Sequence, residues 1–237
     1  MFHENGPSLF ELVHQGLLGL EDGYDRLAPK FDLTPFRTPD DVVAVVADVV
    51  GEIDAAIDIC CGTGASLYHL RPKARERLVG LDLSSGMLDQ ARAHLAEAPG
   101  HVDPELVQGD VLDPPFEAEF DLVTCFGAFG HFTREEEPAL VASVARLLRP
   151  GGRFAFVTHR ELGYADVRSW PYRAFNAAML VRNALLDPPF VMYYLGFTVE
   201  RSTALLEAEG FTVELHEGLL PEPLQNYVVV VATAPGT

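Results

Sequence analysis

Ile57–Ser66 reads IDICCGTGAS: a short apolar run holding one acid, a turn with two glycines, then helix-forming residues. Such a stretch predicts a strand, a tight glycine loop and the first turn of a helix. That arrangement lets backbone touch a nucleotide-like ligand, because Gly62 and Gly64 can take positive φ and carry no Cβ. About twenty residues on, a second apolar run, LVGLD, puts Asp82 at its carboxyl end. A carboxylate there can accept hydrogen bonds from two vicinal ribose hydroxyls, and the pair of features is far more specific than either alone.

Absent features narrow the ligand. A dinucleotide fingerprint needs a third glycine three residues after Gly64, and that position is Leu67. The phosphate-loop pattern fails because no Lys-Ser/Thr follows the glycines. With nothing that demands a pyrophosphate, an adenosine carrying a small zwitterionic tail fits better. Further stretches follow in order: GLDLSSGMLDQAR (Gly80–Arg92), QGDVLDPPF (Gln108–Phe116), FDLVTCFGAFGHF (Phe120–Phe132) and LLRPGGRFAFV (Leu147–Val157). With them the chain resembles the class I S-adenosylmethionine (SAM)-dependent methyltransferases of small-molecule type, strongly over Asp40–Val157 and weakly elsewhere.

The resemblance implies an α/β fold, a Rossmann-like, mostly parallel seven-stranded sheet with helices on both faces, ending in an antiparallel hairpin. It implies SAM as cofactor and S-adenosylhomocysteine as product. By the same resemblance, Asp58 orients the methionine amino group, Gly62, Thr63 and Gly64 face the methionine and ribose, and Asp82 takes the ribose hydroxyls. Leu83 and Met87 flank the adenine, Asp110 accepts its amino hydrogen, and the Val111 N–H meets a ring nitrogen. Cys125 and Phe126 line the methionine tail, while Cys60 stands where the family usually has its first glycine.

The pattern from Ala55 on alternates strand and helix. Strands are expected at Ala55–Cys60, Arg77–Asp82, Glu105–Gly109, Phe120–Phe126 and Arg153–His159, and helices at Ala65–Leu70, Ser84–Ala96 and Glu135–Leu148. The strands are continuous apolar runs, so both sheet faces are covered and the sheet is parallel. Gly62, Asp82, Asp110 and Phe126 then all fall at strand carboxyl ends, where open parallel sheets bind ligands. Thr198–Glu209 reads as a helix, and Phe211–Glu217 and Tyr227–Ala234 as the last two strands.

At 237 residues the chain is expected to form one methyltransferase domain. Within it we expect an N-terminal lid over 1–39, a cofactor-binding core over 40–159, an acceptor-binding cap insertion over 160–197 and a C-terminal helix and hairpin over 198–237. The formal net charge is -18, with 17 Lys plus Arg against 35 Asp plus Glu, which disfavours nucleic acid as a substrate. The longest apolar stretches are too short to span a bilayer, and the N-terminus lacks the basic region of a signal peptide, so a cytoplasmic, non-membrane protein is expected. Cys60, Cys61 and Cys125 form neither a disulfide framework nor a metal pattern, and read as small buried hydrophobes.

Ser8–Leu20 reads as an amphipathic helix that packs on the domain as a lid. Tyr24 and Phe31 follow, seven apart with an acid after each. In the resembling family such a segment folds over the cofactor; the alternative is a helix that simply buries both rings. Thr38 is expected to cap a helix with Pro39 at its first position. Arg160–Phe197 is rich in aromatics and reads either as the acceptor-binding cap, with Tyr164, Trp170 and Tyr194 as contacts, or as a dimer interface. The protein is accordingly expected as a monomer or a homodimer.

Methyl transfer from a sulfonium needs positioning more than covalent help. If the acceptor must lose a proton, His131 and His159 are the candidate general bases. DPPF occurs at Asp113–Phe116, ahead of the fourth strand, and at Asp187–Phe190, within the insertion, so neither stands directly after the fourth strand, where base and amide N-methyltransferases carry such a loop. Thr124-Cys125-Phe126-Gly127 stands there instead, which disfavours amide or base N-methylation. The reading is therefore a methyltransferase acting on O, N, S or C of a small molecule. The alternatives are an NAD(P)-dependent oxidoreductase, or a SAM-binding regulator that does not methylate. No metal site is expected.

Overall fold

The computed structural model describes residues 3–236; Met1, Phe2 and Thr237, at the ends of the expected terminal segments, lie outside the described residues. Helices α1 (Leu9–Leu17) and α2 (Leu20–Leu27) lead into a 3-10 turn, Ala28–Leu33, and then α3 (Asp40–Val50). The alternation follows: β1 (Ile53–Ile59), α4 (Ala65–Leu70), β2 (Ala74–Asp82), α5 (Ser85–Leu95), β3 (Glu105–Gln108), β4 (Phe120–Cys125), α6 (Glu137–Leu147) and β5 (Leu148–His159). After β5 come α7 (Trp170–Leu185), α8 (Val199–Ala208), β6 (Thr212–His216) and β7 (Tyr227–Thr233).

The seven strands form one sheet in the order β3-β2-β1-β4-β5-β7-β6. β1 to β5 pair in parallel, and β7 lies antiparallel between β5 and β6. One face packs Ile57, Val79 and Val123 against Leu140 and Val144 of α6 and Leu206 of α8. The other packs Ala56, Leu78 and Leu122 against Val42 and Val46 of α3, Leu67 of α4 and Leu88 of α5. This double coverage is why the central strands read as unbroken apolar runs. β2 and β4 flank β1 on opposite sides, so the order reverses at β1 and opens a crevice at its carboxyl end.

Three local expectations need correction. Ser8–Leu20 is not one helix: Leu18 is extended and the chain restarts at Leu20. Pro39, not Thr38, takes the capping position of α3, because its ψ of 142° is extended and its carbonyl already accepts from the Val43 N–H at 3.3 Å. β5 begins earlier than expected, since Leu148 already pairs with Phe120 and the Pro150–Gly152 turn is a bulge inside the strand. Among the described residues, no helix is long and apolar enough to cross a membrane.

Candidate active site

A cavity of about 280 Å³ lies at the carboxyl ends of β1, β2 and β4. Its floor is the loop after β1. Gly62 sits at φ +53°, and a Cβ added there would meet nothing within 4 Å, so the glycine supplies a left-handed turn with an open face. Gly64 differs. At φ +83° it caps α4, and an added Cβ would come within 3.2 Å of Ala91 and 3.3 Å of Leu95. It is therefore a packing glycine that lets α4 sit against α5, and it does not line the cavity as expected.

Asp82 ends β2 beside this loop. Its carboxylate accepts the Gly62 N–H at 2.7 Å and the Ser84 N–H at 2.9 Å, one on each oxygen. Burial still raises its pKa above the ordinary carboxylate value against those two bonds. Asp58, 2% exposed, accepts from the Thr124 hydroxyl at 2.6 Å. Burial pushes its pKa up to about 7. Neither acid has a Lys or Arg partner among the described residues. Two acids in one cavity, neither paired with a Lys or Arg, can seat a cationic ligand rich in hydrogen-bond donors.

Leu83, Met87, Asp110 and Val111 form a second stretch of wall, and Cys60, Thr63 and Phe126 border the floor. Cys125 does not: it is fully buried in the core on the α6 side of the sheet. The alternation of a strand explains this, since Thr124 and Phe126 turn to one side and Cys125 to the other.

Tyr24 and Phe31 reach the cavity from the N-terminal segment, their rings 6.1 Å apart and edge-on. Tyr24 Oη lies 2.7 Å from His131 Nε2, and His131 Nδ1 lies 2.8 Å from the Val191 carbonyl. A carbonyl only accepts, so the proton of the neutral imidazole is on Nδ1 and the Tyr24 hydroxyl donates to Nε2. Burial lowers the His131 pKa and raises that of Tyr24, which keeps both groups neutral.

The other expected acceptor-side residues do not reach the cavity. His159 ends β5, one strand farther from the crevice, with Nδ1 bonded to the Arg160 carbonyl at 2.9 Å and its ring against Tyr227. Tyr164 and Trp170 are exposed, and Tyr194 packs on Tyr172 and Phe175. The 160–197 segment contributes from behind instead: Val191 orients His131, and Phe190 stacks on Tyr24 at 6.3 Å.

Several residues of the site were not anticipated. Asp25 of α2 accepts from the Ser84 hydroxyl at 2.5 Å and the Gly86 N–H at 2.8 Å, so it caps α5 from another element. Asp32 accepts from Thr63 Oγ1 at 2.6 Å. Phe36, Thr38, Phe132 and Glu136 complete the wall with Arg37, whose charge is taken up by Asp40 at 2.8 Å and Asp32 at 3.2 Å. The acids after Tyr24 and Phe31 were the visible signal. Their partners, 31 to 61 residues away, were not.

A methyltransferase-domain family model matches residues 56–152. The dTDP-4-amino-2,3,4,6-tetradeoxy-D-glucose N,N-dimethyltransferase of Saccharopolyspora spinosa is 32% identical over 204 residues, covering 75% of this chain and 79% of that protein. An O-methyltransferase family protein from Burkholderia thailandensis shares the fold with a TM-score of 0.69 at 18% identity, over 96% of this chain and 67% of that one. So does the magnesium protoporphyrin IX methyltransferase of Synechocystis PCC 6803, solved with bound S-adenosylhomocysteine, with a TM-score of 0.57 at 16% identity over 82% of each chain. Against the first curated relatives it matches, the chain spans half of their length or less. A relative of that identity over most of both chains, a family match running from β1 into β5 and an open glycine loop facing Asp82 converge: the chain belongs to the class I SAM-dependent methyltransferases, enzymes that use S-adenosylmethionine.

Proposed function

We propose that this chain methylates a hydroxyl or amine of a small molecule, and that Tyr24 and His131 take up the proton the acceptor sheds. The observation that carries the reading is the Tyr24–His131–Val191 chain on the wall of the same cavity that holds Asp58, Gly62 and Asp82. Small-molecule acceptors are supported by relatives whose names specify a sugar nucleotide or ubiquinone biosynthesis. The net charge of -18 supports it too, since a nucleic acid would be repelled.

Asp58 would hold the cofactor's ammonium and Asp82 its ribose hydroxyls, with Leu83 and Met87 beside the adenine and Asp110 and Val111 at its edge. The cavity, about 280 Å³, lies just below the roughly 300–1,000 Å³ typical of ligand sites, so little room remains for a bulky acceptor. As the acceptor's X–H bond breaks, its proton passes to Tyr24 Oη while the Tyr24 proton moves to His131 Nε2. His131 ends as an imidazolium still donating to Val191. S-adenosylmethionine supplies a methyl on a sulfonium that leaves as a neutral thioether, so the cavity loses one positive charge as His131 gains one.

Cofactor identity is read by thermal shift. At 100 times its Kd a ligand adds about 2.7 kcal/mol, which is several degrees for a domain of this size. S-adenosylmethionine and S-adenosylhomocysteine are expected to raise the melting temperature, and NADH to leave it unchanged. A melt moved by NADH alone would overturn the assignment.

Asp58 gives the binding a pH signature. Its folded pKa of about 7 lies above the ordinary 3.8, so the free protein loses stability progressively as pH rises from about 3.8 to about 7, above which the buried carboxyl is ionised. A bound ammonium favours the ionised form. SAM affinity is therefore expected to rise about tenfold from pH 6 to pH 8, and Asp58→Asn to flatten the profile. A flat wild-type profile by calorimetry would remove Asp58 from the ammonium site.

A further inference from the structure

Helices α1 and α7 are inside out. α7 turns Arg173, Asn176 and Asn183 toward the protein, where Arg173 donates to the Leu162 carbonyl at 2.8 Å. Asn176 pairs with the Tyr194 backbone at 2.7 and 2.8 Å, and Asn183 with the Phe190 backbone at 3.0 and 3.1 Å. The orientation is thus fixed by satisfied polar groups, and none of the 16 residues of α7 is buried. Its outward stripe runs Trp170, Ala174, Ala178, Val181 and Leu185, a helical repeat of the kind that normally faces a core. α1 does the same, burying Gln15 and leaving Leu9, Phe10, Val13 and Leu17 between 51% and 77% exposed. Arg182 joins the two helices by donating to the Gly16 and Leu18 carbonyls at 2.8 and 3.3 Å.

We infer that these two faces, tied together by Arg182, are the contact between two copies of the chain, related by a two-fold axis, with α7 packed antiparallel on its mate. Area and charge choose this occupant. A large apolar side chain removes on the order of 100 Å² from water when covered, so the seven on the two stripes, Leu9, Phe10, Val13, Leu17, Trp170, Val181 and Leu185, all more than half exposed, approach the about 800 Å² per partner of a stable interface. α7 carries no Asp or Glu in a chain with 35 of them, so two strongly acidic copies repel each other least across this face. The same net charge of -18 opposes an anionic membrane. A two-fold contact is self-complementary: the small Ala174, Ala177 and Ala178 near the middle of α7 let the helices approach, while Trp170 of one copy opposes Leu185 of the other. The aromatic stretch thereby takes the second of its two sequence readings, interface rather than acceptor contact.

Sedimentation at tens of micromolar is expected to give twice the chain mass of 25.9 kDa. Val181→Arg is expected to give a monomer with unchanged circular dichroism and an unchanged SAM-induced thermal shift. Ala178→Cys, close to the axis, is expected to form a disulfide-linked dimer on mild oxidation, the native cysteines being buried or half-buried. A monomeric wild-type chain overturns the inference, as does a dimer that survives Val181→Arg and fails to cross-link through Ala178→Cys. So does a monomer that co-sediments with phosphatidylcholine vesicles, which would make the face a lipid contact. The SAM-induced shift reports the cofactor site separately, so either reading can fail without the other.

Discussion

Replacing His131 with alanine is expected to lower kcat by about 10²–10⁴-fold while SAM affinity stays within about threefold of the parent. The effect is large because His131 would be the terminus of the proposed proton path: its Nδ1 is committed to Val191, and its Nε2 is the lone pair that the Tyr24 hydroxyl faces. Burial, which lowers the His131 pKa, keeps that lone pair free at neutral pH. A lowered pKa means the neutral, proton-accepting form is complete above the ordinary 6.5 and is lost only as pH falls through the lower folded value, so kcat should decline on the acid side of about pH 6.5. Tyr24→Phe keeps the ring packed on Phe31 and Phe190 and removes only the hydroxyl. It should reproduce most of the His131→Ala loss, and the double variant should be little worse than the poorer single one, because the two act as a unit. A wall residue without chemistry would alter KM and melting temperature instead. If both single variants keep kcat within threefold of the parent and the acid limb is absent, the proton path is wrong.

How far the sequence reaches depends on whether a feature is local or relational. β1, β2 and β4 were legible because the parts of them covered on both faces, such as Leu78–Leu81 of β2, read as apolar runs, and Asp82 because it ends one of them. Cys125 could have been excluded from the cavity by counting alternate residues from Thr124 to Phe126. The face that α1 turns inward could not be read: an apolar stripe establishes that a helix has two sides, not which one the protein covers. The same holds for 160–197, where aromatic content is visible but the satisfied asparagines and arginines that set the rotation of α7 depend on carbonyls contributed by Leu162, Phe190 and Tyr194. Asp25 illustrates the limit most simply. Its partner, the N-terminus of α5, is 61 residues away, and only the docking of α2 on α5 brings them together.

Asp82→Ala is expected to weaken SAM binding by about 1.5–3 kcal/mol, roughly 10- to 150-fold, through lost hydrogen bonds to a charged acceptor. The structure argues for the upper part of that range. Asp82 also ties the loop after β1 to the start of α5 by taking the Gly62 and Ser84 N–H groups. Without it, both donors lose their protein partner and the two loops that would grip the adenosine are no longer held in register. Asp82→Asn separates these contributions, because an amide can still accept one of the two N–H bonds but turns a donor toward the other. It should bind SAM better than the alanine variant and worse than the parent. The acid's raised pKa marks it as costly to the free protein when ionised, so removing it should lower affinity far more than it lowers the melting temperature. Calorimetry giving Asp82→Ala a Kd within twofold of the parent would mean that the ribose is held elsewhere and that the Asp82 carboxylate serves only to fasten the two loops.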